Sequence, residues 1–329
     1  AGEDEGQHGP QCGTEGVQAV QGTGGGTVVA VRVAAVQVAT SLDVGANRRL
    51  VADRLGAAAQ GGATLVVFPE ATMATFGDAG FDLSSVAEPL DGPFVTALRD
   101  GAASHHCVVV AGMFERPSGG EGGAPIRPVT GSVTGPAPPA TRVFNTVVVV
   151  GPDGLLAAYR KVHLFDALGA CESDRVLAGD PAAGMVTVPL EGDLVLGVMT
   201  CYDLRFPEAA RALVDGGATV IALPAHWYGG PGKAEVWETL VRARAIESTA
   251  YVVAAGKPEG EAVGRSMVVD PLGDVLVELG GEEGIAFADL SSARVGAVRT
   301  MLPVLEHRRF DVVARGETAC APYSPSRTA

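Results

Sequence analysis

Two periodicities alternate along most of this chain, and they restrict its architecture more than any single residue does. From Thr27 onward, short runs rich in β-branched residues are interleaved with segments whose apolar residues recur at helical spacing. Residues 28–38 read as a strand. Residues 47–60 read as a helix on the spacing of Leu50, Leu55 and Ala58, stopped by Gly61-Gly62. Residues 65–68 form a short buried strand ending at Pro69-Glu70, a helix covers about 93–104, and 107–114 is a strand again. Residues 145–150 and 155–161 flank a Pro152-Asp153-Gly154 turn and predict a hairpin. A strand at 194–200 follows, then a helix at 207–214. Pro207 sits in the first turn of that helix, where its missing N–H costs nothing, and Gly216-Gly217 close it. Strand 218–223, helix 234–248 and strand 251–255 continue the alternation. Residues 266–270 and 274–278 predict a second hairpin, with a strand at 284–288 beside it. Helices between strands imply sheets covered on their outer faces, and the hairpins add antiparallel pairs that a purely parallel sheet lacks. One mixed α/β domain is expected.

Composition explains the segments that escape this pattern. Residues 1–26 hold nine glycines and four acids with no lysine or arginine, too little apolar area to offset the entropy of ordering, so a disordered tail is expected. The glycines at 22 and 24–26 precede the first strand, which is the wrong side for a phosphate-cradling loop. Residues 117–141 contain six prolines and six glycines and read as a surface insertion within a domain of residues 27–315, with a second tail at 316–329. A formal charge of −14 repels phosphate backbones, so no nucleic-acid partner is expected. No apolar stretch approaches the roughly 20 residues that cross a bilayer, and the acidic N-terminus lacks the positive-then-apolar order of a signal peptide. Five scattered cysteines without a CxxC pair point away from zinc ribbons and dithiol redox motifs, and toward a reducing cytoplasm.

Three predicted strands end on reactive side chains: Glu70 in Phe68-Pro69-Glu70, Lys161 in Tyr159-Arg160-Lys161, and Cys201 in Thr200-Cys201-Tyr202-Asp203. The carboxyl ends of strands are where α/β sheets build sites. Cys201 is the sharpest case, because a strand delivers it to a turn whose N–H groups, Tyr202 among them, would face a developing oxyanion. From position alone, an inert buried cysteine is the commoner fate of an isolated Cys. A free thiol titrates near about 8.5, so a nucleophilic role needs a base and a positive charge at hand. Glu70 and Lys161 have those properties, although each is also compatible with solvating a strand end. His163 and His226 offer no papain-like alternative, since no partner acid is indicated for either. No His-x-His or HExxH spacing suggests a metal.

Taken in order, these segments resemble the carbon–nitrogen hydrolase (nitrilase) superfamily, and within it the Nit-type amidases. The resemblance spans about residues 30–312 and rests on Ala35-Val36-Gln37, Phe68-Pro69-Glu70, Asn145-Thr146, the run from Tyr159 to Asp166 and the run from Cys201 to Glu208. The Arg242-Ala243-Arg244 helix, Gly264-Arg265-Ser266-Met267 and Leu302-Pro303-Val304 complete it. It implies a four-layer αββα sandwich, usually paired into homodimers or larger homo-oligomers, and a Glu-Lys-Cys triad: Glu70 as general base and acid, Lys161 as cation, Cys201 as nucleophile. A second glutamate, here Glu172 before Ser173, would orient the lysine. Tyr202, Arg205 and His226 are candidates for substrate or oxyanion contact. The implied reaction is hydrolysis of a small linear carboxamide, one that also bears a carboxylate, with no organic cofactor or metal. Nitriles and N-carbamoyl amines are alternative substrates of the same chemistry, and a non-catalytic scaffold is the alternative of another class. A raised Glu70 pKa, from burial beside Cys201, is expected of a proton shuttle. The stretch from Lys161 to Glu172 is shorter than in typical Nit-type chains, and Val236-Trp237 stands where they show His-Trp. Selectivity is expected to be set in those two places.

Overall fold

The computed structural model describes residues 30–119, 141–183, 185–260 and 262–314. The expected tails at 1–26 and 316–329, and most of the 117–141 insertion, lie outside the described residues.

The first half of the chain builds one sheet. It runs β1 (Val31–Gln37), α1 (Val44–Gln60), β2 (Leu65–Val67), α2 (Pro93–His105), β3 (Val108–Glu115), β4 (Val143–Gly151), β5 (Gly154–Arg160) and the two-residue β6 (Val176–Leu177). The second half builds another, from β7 (Thr187–Pro189), β8 (Val195–Val198), α3 (Pro207–Asp215), β9 (Val220–Pro224), α4 (Lys233–Ser248), β10 (Tyr251–Ala255), β11 (Met267–Val269) and β12 (Val275–Glu278). Strand β13 (Gly284–Leu290) and helix α5 (Ser292–Met301) close the described fold. The spatial orders are β13-β1-β2-β3-β4-β5, with β6 against β4, and β12-β11-β10-β9-β8-β7.

Period-two alternation explains why the strands stack as they do. Val33 and Ala35 of β1, Leu65 and Val67 of β2, and Val147 and Val149 of β4 face a core shared with Leu196, Val198, Val220 and Val253 of the second sheet. Their neighbours Ala34, Val36, Val66, Val148 and Val150 point the other way, onto Val51 and Leu55 of α1 and Phe94 and Leu98 of α2. The outer face of the second sheet packs Ile221, Leu223 and Val252 against Leu213 of α3 and Trp237 and Val241 of α4. Three apolar interiors thus separate four layers, helices–sheet–sheet–helices, which is the αββα sandwich that the family resemblance implies.

Two differences from the sequence reading have physical reasons. The strand read at 284–288 packs near the β11–β12 hairpin but does not pair with it. It crosses to the first sheet and pairs antiparallel with β1, Ala35 opposite Ala286. The buried Gln37 carboxamide anchors the crossing: its Nε2 donates to the carbonyls of Gly280 (2.8 Å) and Glu282 (2.6 Å), and its Oε1 accepts from the Ser266 N–H (2.8 Å). Hairpin spacing cannot reveal a contact made by a side chain almost 250 residues away. Helix α5 and the short strands β6 and β7 also went unread, being too brief or too mildly patterned to stand out.

Candidate active site

Glu70, Lys161 and Cys201 come from both sheets and meet at one end of the sandwich. Glu70 follows β2, Lys161 follows β5, and Cys201 follows β8. All three are buried, at 1%, 2% and 9% exposure. They share a cavity of about 490 Å³ with Glu172, Tyr202, Arg205 and His226. Every candidate site residue read from the sequence therefore lines one pocket.

Both turns that deliver the acid and the sulfur are held in unusual backbone conformations. Cys201 has φ +47° and Ala71, next to Glu70, has φ +53°, a region that costs a non-glycine residue about 1 kcal/mol or more. Surrounding bonds hold each in place. Beneath Cys201, the buried Asp203 carboxylate accepts from the Thr200 N–H (3.0 Å) and the Tyr159 hydroxyl (2.8 Å), tying the cysteine turn to the strand of Lys161. It also meets the His163 Nδ1 at 2.7 Å, so His163 does have a partner acid, contrary to the sequence reading. That acid is distant in the chain, which is why spacing did not reveal it. Arg244 of α4 donates to the Leu204 carbonyl (2.9 Å) from the other side. Beneath Glu70, Gly112 of β3 accepts from both Thr72 and Met73 N–H groups at 3.0 Å. A Cβ at Gly112 would lie 2.5 Å from the Ala71 nitrogen and 2.9 Å from the Glu70 Cα, so only glycine lets the strand approach this turn.

Lys161 is the hub of the charges. Its ammonium donates to Glu70 Oε1 (3.0 Å) and to both carboxylate oxygens of Glu172 (3.0 and 2.8 Å). Glu172 reaches the lysine despite the short connection, because the Phe165 N–H holds its Oε2 at 2.7 Å. Asn145 of β4 bridges the two carboxylates, donating to Glu70 Oε1 (2.8 Å) and Glu172 Oε1 (3.0 Å). The main-chain N–H of His226 binds Glu70 Oε2 at 2.9 Å, and the Cys201 thiol points to the His226 carbonyl at 3.6 Å. A run of polar groups thus joins five strands, β2, β4, β5, β8 and β9.

These contacts set the protonation states. Burial by itself would raise the Glu70 carboxyl, but the Lys161 charge, the neighbouring Cys201 thiol and the hydrogen bonds from Lys161 and Asn145 outweigh it, holding the group at about 2. The raised value expected from burial beside Cys201 is therefore corrected: at rest Glu70 is ionised, because Lys161 is closer to it than the sequence could show. Burial and the neighbouring Glu70 charge push the Cys201 thiol well up, so the resting proton sits on sulfur. Lys161 is held charged: burial opposes its charge, but Glu70 and Glu172 raise it well above the usual range. Burial lowers His226 to about 3, helped by the charge of Lys257, so its ring is neutral at ordinary pH.

The remaining candidates line the pocket wall. Tyr202 stands edge-on to Phe165, ring centroids 5.0 Å apart, and its N–H is among the first of a 3₁₀ turn, where such groups have no acceptor within the turn. The Arg205 guanidinium lies 4.9 Å from the Trp227 ring centroid. His226 is wedged between Phe76 and Tyr228, and it contributes both main-chain groups to the Glu70–Cys201 pair. Asn145 and Gly112 were not read as site residues. A buried asparagine opening an otherwise apolar strand was the available signal for the first; the second shows only in three dimensions. Among the described residues, no group of three or more His, Cys, Asp or Glu side chains is arranged to hold a metal ion, and no helix is long and apolar enough to cross a membrane.

The family model for carbon–nitrogen hydrolases matches residues 32–300. A protein described as a hydrolase from Mycobacterium tuberculosis is 38% identical over 295 residues, covering 84% of this chain and 95% of its own length. The deaminated glutathione amidase of Escherichia coli O157:H7 is 35% identical over 279 residues, covering 84% of this chain and 97% of its own. Among solved structures, Saccharomyces cerevisiae Nit3, a nitrilase-superfamily member, superposes with a TM-score of 0.70 at 27% identity, covering 85% of this chain and 97% of that one.

Proposed function

The chain belongs to the carbon–nitrogen hydrolase family, whose members here include amide hydrolases, and from that premise we propose that it is a cysteine-dependent amidase working through a thioester on Cys201. The observation that carries this reading is the contact set around Glu70: one buried carboxylate bonded to the Lys161 ammonium and the Asn145 amide, sharing the floor of a cavity with the Cys201 thiol. When an amide carbonyl enters, sulfur attacks the carbonyl carbon while its proton passes to Glu70. The carbonyl oxygen becomes an oxyanion beside Lys161 and the Tyr202 N–H, an arrangement worth several kcal/mol, on the order of about 3 per donor, in comparable sites. Glu70 then gives its proton to the departing nitrogen, ammonia leaves, and a thioester remains. Water attacks the thioester, losing a proton to Glu70, which returns it to sulfur as the acid departs. A carboxylate held low at rest still serves, because the growing oxyanion draws on Lys161 and weakens the pull that keeps Glu70 ionised. Glu172 keeps Lys161 charged and aimed.

The substrate proposed is a small linear carboxamide that also bears a carboxylate. Deaminated glutathione and ω-amides such as 2-oxoglutaramate, each paired with the matching nitrile, form the test panel. Steady ammonia release from an amide with no turnover of its nitrile is expected. Release from nitriles alone contradicts the amidase reading.

The close approach of β3 gives a second expectation. Gly112→Ala pushes the Glu70 turn away from Lys161 and Cys201, and a displacement of about 1 Å costs on the order of 10²-fold in rate. Measured kcat is therefore expected to fall by about that factor, with a lower melting temperature; full activity means that Gly112 does not position Glu70.

A further inference from the structure

The cavity's charges are divided by depth. At the floor, Lys161 faces Glu70 and Glu172, a net of one negative charge. The more exposed lining carries Arg175, Arg205 and Lys233 against Asp174, a net of two positive charges. That is a reversal of the chain as a whole, whose formal charge of −14 repels anions. The three outer cations are not equally committed. Arg175 donates to the carbonyls of Phe76 and Asp78, both at 3.0 Å, and so braces the wall. Arg205 lies over the Trp227 ring. Lys233 has neither an ion pair nor a side-chain hydrogen bond among the described residues, although it lines the pocket and is half-buried.

Its placement is built. Gly230 and Gly232, with φ +133° and +70°, make a turn that only glycine enters freely, and Lys233 opens helix α4 directly after it. The Trp227 indole N–H donates to the Lys233 carbonyl at 3.2 Å, fixing the lysine's backbone to an aromatic ring of the pocket wall. Trp227 is only 6% exposed, so this anchor does not drift. An ammonium fixed at its base, free at its tip and facing a cavity is suited to a carboxylate or another small anion.

We propose that Lys233 is a specificity-determining residue that binds the carboxylate at the far end of the amide substrate, so that monoamides of dicarboxylic acids are preferred over uncharged amides of the same length. This rests on the amidase reading above and goes beyond it by naming the residue that selects the substrate class. Two measurements separate the two claims. In kinetics, glutaramate and the uncharged valeramide are compared in wild type, Lys233→Met and Lys233→Arg. Lys233→Met is expected to raise KM for glutaramate about tenfold more than for valeramide, the equivalent of about 1.4 kcal/mol. The loss is expected in KM and not in kcat, and Lys233→Arg is expected to restore most of it. In calorimetry, glutarate is titrated into the same three proteins. Weaker binding by Lys233→Met, rescued by arginine, supports the proposal even if no amide is turned over, in which case only the amidase reading fails. Equal glutarate binding by all three, or equal KM changes for charged and uncharged amides, overturns it.

Discussion

Replacing Cys201 with alanine is expected to lower ammonia release by about 10⁴- to 10⁶-fold, the scale on which nucleophile removal acts in comparable hydrolases, while leaving the fold intact. The structure explains why the two effects separate. The only hydrogen bond of the thiol among the described residues is a long one to the His226 carbonyl, 3.6 Å. Without it, Glu70 keeps Asn145, Lys161 and the His226 N–H, so no charge is left unpaired. The turn itself is held by Asp203 and Thr200, which the substitution does not touch. Ammonia release and thermal melting on the same preparation check this together. A melting temperature near wild type with no detectable turnover is the expected pair of results; a wild-type rate removes Cys201 from the mechanism.

Lys161→Met is expected to have the largest combined effect, on activity and on stability. Burying two carboxylates is tolerable only because the ammonium lies 2.8 to 3.0 Å from each. Removing one partner of a buried pair costs about 3–5 kcal/mol, because the desolvated charge that remains has no compensation. The pH dependence distinguishes this from simple loss of packing. In wild type, Glu70 titrates at about 2, below its ordinary 4.5, so its contribution to stability is complete above pH 4.5 and is lost as pH falls toward 2. Without Lys161, burial is the dominant influence and moves the carboxyl above its ordinary value, reversing the sign. The variant is then least stable, relative to wild type, at neutral pH, and the gap narrows as pH falls toward 5. Melting curves across pH 4.5–8 measure the gap directly. A constant offset across that range means the two carboxylates do not depend on Lys161.

Much of the layered fold was legible because strand and helix periods were clear, and because the parallel strands of each sheet are apolar on both faces. Val66 and Val67, for instance, point to opposite interiors, and both are fully buried. What was not legible depends on contacts between remote residues. The crossing of β13 to β1 is stabilised by Gln37, and the pKa of Glu70 is set by Lys161, 91 positions away. Glu70, Lys161 and Cys201 were readable as reactive residues at strand ends, and their assignment to one site came from the resemblance of the surrounding segments. Gly112 was unreadable because its importance is a missing Cβ against the turn that follows the neighbouring strand, β2. Lys233 follows a glycine-rich turn that looks, in sequence, like an ordinary connection.

The central claim is that an acyl group passes through Cys201, and mass spectrometry of the quenched enzyme tests it most directly. Tryptic cleavage separates the described cysteines: Cys107 falls in residues 100–142, because Arg116 and Arg127 each precede a proline, Cys171 in 162–175 and Cys201 in 176–205. Acid quenching during turnover of an amide is expected to place the acyl mass on the 176–205 peptide, discharged by hydroxylamine and absent from Cys201→Ala. An adduct on either other peptide, or turnover with no adduct and no loss in Cys201→Ala, contradicts it.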